Sequence, residues 1–143
     1  MAVIYNGIKF DTPLLAQWAA FFDLAGYQWS TKPSAVADWL PDFRVELDCN
    51  HSECGGGHVI LISVLPTDDL SGVRGHPALS HRYGVNVGGN RLADAGAVFG
   101  SSPQATCWEM SHGPGGGIFR VVDWESGAEA LWLGAKRRIA ALG

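Results

Sequence analysis

Residues 39–48 read WLPDFRVELD and residues 58–65 read HVILISVL, and the contrast between these two stretches decides the fold class. In the first, Phe43, Val45 and Leu47 alternate with Asp42, Arg44, Glu46 and Asp48. Side chains on a strand point to opposite faces in turn, so one face packs and the other carries four charged groups in water. The second stretch is almost continuously apolar and rich in β-branched residues. That is the pattern of a central strand buried on both faces.

Working outward, the segment before this pair reads DTPLLAQWAAFFDLAG from Asp11. Asp11 or Thr12 is placed to cap a helix, Pro13 suits its first turn, and Gly26 ends it. Leu14, Trp18, Phe21 and Phe22 recur at helical spacing, which predicts an aromatic stripe facing the core. Tyr27–Ser30 reads as a short strand, and the lysine, proline and serine at 32–34 as a break. Beyond the apolar run, Thr67 to Arg91 carries weak signals. Asp68 and Asp69 precede a short helical pattern that Gly72, Gly75 and Pro77 interrupt, and Gly84, Gly88 and Gly89 read as loop. Short strands are expected at Ala97–Phe99, Thr106–Met110 and Ile118–Trp124, the last two joined by the glycine-rich SHGPGGG. A closing helix is expected, with Ser126 as its cap, Glu129 completing a capping box, and Lys136, Arg137 and Arg138 near its C-terminal end. The order predicts an α/β fold, a mixed central sheet flanked by helices, in one domain over residues 1–143.

Bulk properties narrow the function. The 143 residues suffice for one core, and the 47% hydrophobic and 17% charged shares are those of a globular chain. A net charge of -4 argues against broad binding to a phosphate backbone, which needs a basic face. No apolar run reaches bilayer length and the opening MAVIYNGIKFD lacks a basic-then-apolar pattern, so a cytoplasmic protein is expected. Three cysteines in a reducing compartment imply thiols or a metal site instead of disulfides.

The segment Tyr5 to Phe43 resembles a family of small nuclease-like proteins of phages and mobile elements, of the PD-(D/E)XK class. The resemblance rests on Tyr5, Gly7, Phe10, Thr12, Leu14, Ala16, Trp18, Ala19, Phe21, Phe22 and Asp23, followed by Leu40-Pro41-Asp42-Phe43. It covers about a quarter to a third of the chain, and the later AVFGSSP and TCWEMSHG also look like the tail of some members. It implies a restriction-endonuclease-like fold. In active members, by the same resemblance, a helix glutamate, the aspartate of Pro-Asp-Phe and a Glu-x-Lys on the next strand assemble around Mg²⁺. Oxygen ligands hold that ion, which activates water and offsets phosphate charge. This chain keeps Asp42 alone. Leu15 stands at the glutamate position, Leu61 at the strand carboxylate and Ser63 at the lysine. The resemblance therefore implies a catalytically inactive relative with a vestigial Asp42 and no Mg²⁺, acting through a protein or nucleoprotein partner. Inhibition of a host defence complex, in the manner of an anti-CRISPR, is one such role.

Asp42, Glu46 and Asp48 are the candidate partner-binding residues, an acidic face able to enter a basic nucleic-acid groove. They do not restore a metal site among themselves, since the Cα atoms of Asp42 and Glu46 lie about 13 Å apart at about 3.3 Å per residue. Help from Glu53 or Asp68 would be needed for a rearranged nuclease. Cys49, His51, Cys54 and His58 form a dense set of soft ligands, a candidate zinc site whose spacing matches no standard finger, and its alternative reading is a zinc-stabilised structural or nucleic-acid-binding module. Cys107 is expected to be a packed core thiol. GPGGG lacks the lysine and hydroxyl that follow a phosphate loop and reads as a hairpin connection. The six tryptophans are expected mainly in the core, with some available as interface anchors.

Overall fold

A computed structural model describes residues 2–48, 57–112 and 115–142. In chain order its elements are β1 (Val3–Tyr5), β2 (Ile8–Phe10), α1 (Pro13–Ala25), β3 (Gln28–Thr31), β4 (Phe43–Asp48) and β5 (Gly57–Val64). Two 3-10 turns follow, Leu70–Val73 and Pro77–Ser80, then β6 (Val85–Val87), β7 (Asn90–Ala93), β8 (Ala95–Phe99), β9 (Thr106–His112) and β10 (Gly115–Phe119). The chain ends in α2 (Val121–Trp124) and α3 (Ala128–Ala140). Six strands form one mixed sheet in the order β10-β9-β8-β5-β4-β3. All neighbours are antiparallel except β5 and β8.

The apolar run at residues 58–65 does what its composition requires. β5 lies inside the sheet, with Ile60 and Ile62 buried towards the helices and Leu61 buried in a second cluster on the other side. The helix side is an aromatic core. Thr12 caps α1 by accepting from the Leu15 N–H at 3.2 Å, and Gly26 closes it at φ 80, a left-handed position that glycine adopts without strain. Trp18, Phe21 and Phe22 are fully buried, and the Trp132 ring of α3 lies 4.3 Å from that of Trp18. The Trp18 indole N–H donates to the Gly100 carbonyl at 2.9 Å, so even this buried ring has its polar atom paired.

The opposite side has no helical layer among the described residues. It is covered by the segment between β5 and β8, where Ala78, Val85 and Ala93 pack with Val36, Trp39, Leu61 and Val98. The Pro77–Ser80 turn comes so close to β8 that a Cβ on Gly96 would sit 2.2 Å from the Ala78 carbonyl oxygen. Only a residue without a side chain permits that approach.

Several sequence expectations need correction. The strand expected from Trp39 begins at Phe43, because Pro41 offers no N–H and restricts the residue before it. Trp39 instead turns back to bridge Val36. Gly88 and Gly89, at φ 57 and 82, are not plain loop: they form the two-residue turn of the β6–β7 hairpin. Residues 118–124 are not one strand. β10 ends at Phe119, and Asp123 draws the chain into α2 by accepting from the Arg120 N–H at 3.2 Å. Gly115, Gly116 and Gly117, expected in the connection, pair with β9. Ser126 does not cap α3. Gly127 takes that position at φ 77, with no side-chain cap. No helix among the described residues is long and apolar enough to cross a membrane.

Candidate functional site

Asp42 sits where the β4–β5 ladder ends. The last paired residues are Phe43 and Ile62. Beyond them the Asp42 N–H donates to the Ile62 carbonyl at 2.7 Å, and its own carbonyl accepts from the Lys32 N–H at 3.0 Å. Its carboxylate accepts from the Val64 N–H at 2.8 Å. The side chain thus satisfies a strand N–H that a regular ladder would pair with backbone. Burial pushes the Asp42 carboxyl above the usual carboxylate range and nearby Asp11 adds to this, against the Val64 hydrogen bond and His76.

The strand positions facing Asp42 are closed. Arg44 is opposite Leu61 and Phe43 opposite Ile62, so Arg44, Leu61 and Ser63 share the face away from the helices, with Asp42 at its end just before the ladder. That face is occupied by Trp39, 5% exposed, whose indole N–H donates to the Ser63 hydroxyl at 2.7 Å. The His81 ring stacks on Trp39 at 5.3 Å with an interplanar angle of 16°. An indole and an aliphatic cluster here repel a divalent cation, which needs oxygen donors and water.

The remaining acidic candidates lie further along β4. Glu46 forms a 3.1 Å ion pair with Arg44, both side chains 42% exposed, so part of the expected negative charge is already offset. Asp48 is exposed at the strand end, and with Glu46 it borders a shallow depression that reaches His58. Asp68 is elsewhere. With Asp69, Arg74 and Arg120 it borders a depression of about 440 Å³ over β9 and β10. Cys107 opens onto that depression and is only half-buried, which corrects its reading as a core thiol, and burial raises its thiol pKa.

On the helix-side flank of Asp42 the chain builds a pocket that the sequence pattern does not announce. It measures about 280 Å³ and is lined by Lys9, Asp11, Leu15, Lys32, Asp42 and Phe43, among others. Leu15 and Asp42 therefore line one pocket. The residues that sequence reasoning misses are Lys9, Asp11 and Lys32, brought in by the β1–β2 hairpin and the end of β3. Their only sequence signal is charge at the boundaries of short elements. Among the described residues no three or more His, Cys, Asp or Glu side chains gather as a metal-binding group.

Of the candidate zinc ligands, Cys49, His51 and Cys54 lie outside the described residues, as does Glu53. His58 is in β5, buried, and touches a partner from β9: its Nε2 is 3.4 Å from His112 Nδ1. Its Nδ1 faces Asp94 Oδ2 at 3.5 Å, and that carboxylate also binds the Val59 N–H and Arg91, each at 2.8 Å. The sequence pattern leaves His112 beside the glycine-rich connection. The β8–β9–β10 pairing needed to bring it to β5 is not visible in local pattern.

Compared with protein-family models, with curated proteins and with solved structures, the chain matches none.

Proposed function

We propose that this chain is a restriction-endonuclease-like scaffold without metal-dependent cleavage, and that it works in the cytoplasm of a host cell by binding a protein or nucleoprotein complex. The observation that supports this reading most is the Trp39–Ser63 hydrogen bond at 2.7 Å. It fills, with an aromatic ring, the face on which the family resemblance would require a carboxylate and a lysine. The mixed sheet with helices against one side agrees with the coarse form of that architecture. Asp42 has a structural role that needs no catalysis, since it pairs the Val64 N–H. The partner-facing region is the Asp42 end of the sheet, with Glu46 and Asp48 continuing it, and a host defence complex of the CRISPR type is the specific partner class.

The test is in two steps. Purified protein incubated with single- and double-stranded DNA and RNA in Mg²⁺ or Mn²⁺ should leave all substrates intact. Cells carrying an active CRISPR effector should accept a targeted plasmid when this protein is expressed, and the Glu46→Lys, Asp48→Lys double variant should weaken that protection. Unchanged plasmid exclusion with a folded, soluble protein rejects the defence-inhibitor reading.

A second reading, a nuclease with a rearranged site, is favoured by the pocket that brings Asp11 and Asp42 together with Lys9 and Lys32. Two carboxylates and two ammonium groups are the right chemical types for a metal and a phosphate. Cleavage in Mg²⁺ or Mn²⁺ that disappears in both Asp11→Asn and Asp42→Asn would establish it and overturn the first reading.

A further inference from the structure

His58 and His112 are distant in sequence and unrelated to the Asp42 end of the sheet. β5 carries His58 towards the helix side, and β9 carries His112 to the same side, where Trp124 of α2 covers both. The Trp124 ring lies 5.7 Å from His58 at 82° and 5.0 Å from His112 at 68°. Phe119 adds a further apolar wall at 5.9 Å from His112. Within that wall the two imidazoles turn ring nitrogens towards each other, 3.4 Å apart.

From this arrangement we infer that His58 and His112 are two ligands of a zinc-class transition metal ion, a structural site independent of the partner-binding reading. Two features support it. First, the separation is right. Two nitrogens each about 2.0–2.1 Å from a tetrahedral ion are about 3.3–3.4 Å apart, and a neutral N–H···N bond is normally nearer 3.0 Å. Second, the far side of His58 is arranged as for a metal ligand. Its Nδ1 faces the Asp94 carboxylate at 3.5 Å, which Arg91 and the Val59 N–H hold in place. A ligating histidine commonly donates its other ring N–H to a carboxylate, which fixes the tautomer and makes the ligating nitrogen more basic.

His58 binds through Nε2 with its proton on Nδ1, and His112 through Nδ1 with its proton on Nε2. The ligands filling the other positions are for variants to identify.

The test uses the full chain, purified without chelator or affinity-tag nickel. Its metal content is measured by mass spectrometry, and its zinc affinity by competition with a chromogenic chelator. Cobalt(II) loaded into the metal-free protein reports geometry through its visible absorption. The expected result is about one zinc per chain, an intense tetrahedral cobalt spectrum, and at least about a tenfold loss of zinc affinity in His112→Ala. Asp94→Asn should lose about tenfold as well, since it acts through His58. His112 is only partly buried, so its alanine variant should fold even if His58→Ala does not, and circular dichroism checks this. Cys107→Ser serves as a control and should change nothing. A protein that keeps no zinc and gives no tetrahedral cobalt spectrum overturns the site. So does zinc binding that is unchanged in folded His112→Ala.

Discussion

The two faces of the β4–β5 pair receive the same backbone and opposite treatment. Towards the helices, Phe43, Val45, Leu47, Ile60 and Ile62 are fully or almost fully buried under α1 and α3. Away from them lie Asp42, Arg44, Glu46 and Asp48, beside a small second cluster centred on Trp39 and Leu61. The first face is held by shape and area, since large rings interlock around Trp18 and Phe22. The second is held by individual polar contacts: the indole to Ser63, the carboxylate to Val64, the guanidinium to Glu46. A face of the first kind tolerates no loss of volume. A face of the second kind can change its chemistry at modest cost, which is where a binding surface can diverge from a catalytic one.

The largest effect should come from opening the dry face. Phe43 is completely buried, with ring centroids 5.2 Å from Phe22 and 5.9 Å from Trp29. Phe43→Ala removes that area and leaves a cavity, so it should destabilise by about 3–5 kcal/mol in urea unfolding. A loss under about 1 kcal/mol would mean that the helix layer does not dominate the stability, and the comparison between faces would fail.

On the other face Trp39→Phe keeps most of the ring but removes its N–H from the Ser63 hydroxyl. Ser63 is 5% exposed and would lose its donor in a site that water enters poorly. A cost of about 1–2 kcal/mol is expected from the unpaired buried hydroxyl together with the lost volume. The companion Ser63→Ala in the Trp39→Phe background should recover part of it, because both polar partners are then gone. No recovery would show that the contribution of Trp39 is packing alone, and that the two faces differ less than their contacts imply.

The same contrast explains what can be read in the sequence. The dry face is legible because it obeys simple periods: the stripe through Trp18, Phe21 and Phe22, the alternation of β4, the apolar run of β5. Thr12 and Gly26 mark the ends of α1 through their own chemistry. The polar face is legible only in part. Alternation places Asp42, Glu46 and Asp48 together, but nothing local says that Arg44 pairs with Glu46 or that Asp42 turns its carboxylate to Val64. Pro41 carries a second message beside its place in a motif, since it also shortens the strand. The Gly88-Gly89 hairpin is present as a two-residue turn between short alternating runs, and the density of glycine around it hides the signal. The meeting of His58 with His112 depends on β9 lying two strands from β5. The pocket of Lys9, Asp11 and Lys32 likewise depends on where a hairpin docks. Such long-range geometry leaves no local period to detect.

The smallest effect sharpens the comparison most, because it isolates one charge on the polar face. Burial raises the Asp42 carboxyl pKa in the folded protein above its ordinary value of 3.8, with Asp11 adding and the Val64 N–H opposing. The folded state therefore holds this proton more tightly than the unfolded chain does. The resulting stabilisation is fully present below the unfolded value and is lost as pH rises through the folded one. In the Asp42→Asn variant the new side chain can still accept from Val64 through its amide oxygen and has no proton to lose. The stability of the native chain relative to that variant should therefore fall as the pH is raised from about 3.5, then level off above the raised pKa. Asp42 is only half-buried and solvent screens it, so the total change should stay below about 1 kcal/mol. Urea unfolding of both proteins across this range measures the difference, and titrating groups not coupled to Asp42 cancel between them. If the native chain instead gained on the variant as the pH rose, the carboxylate would be held ionised by its surroundings. Asp42 would then be poised to meet a cation in its pocket, and the rearranged-nuclease reading would gain over the binding one.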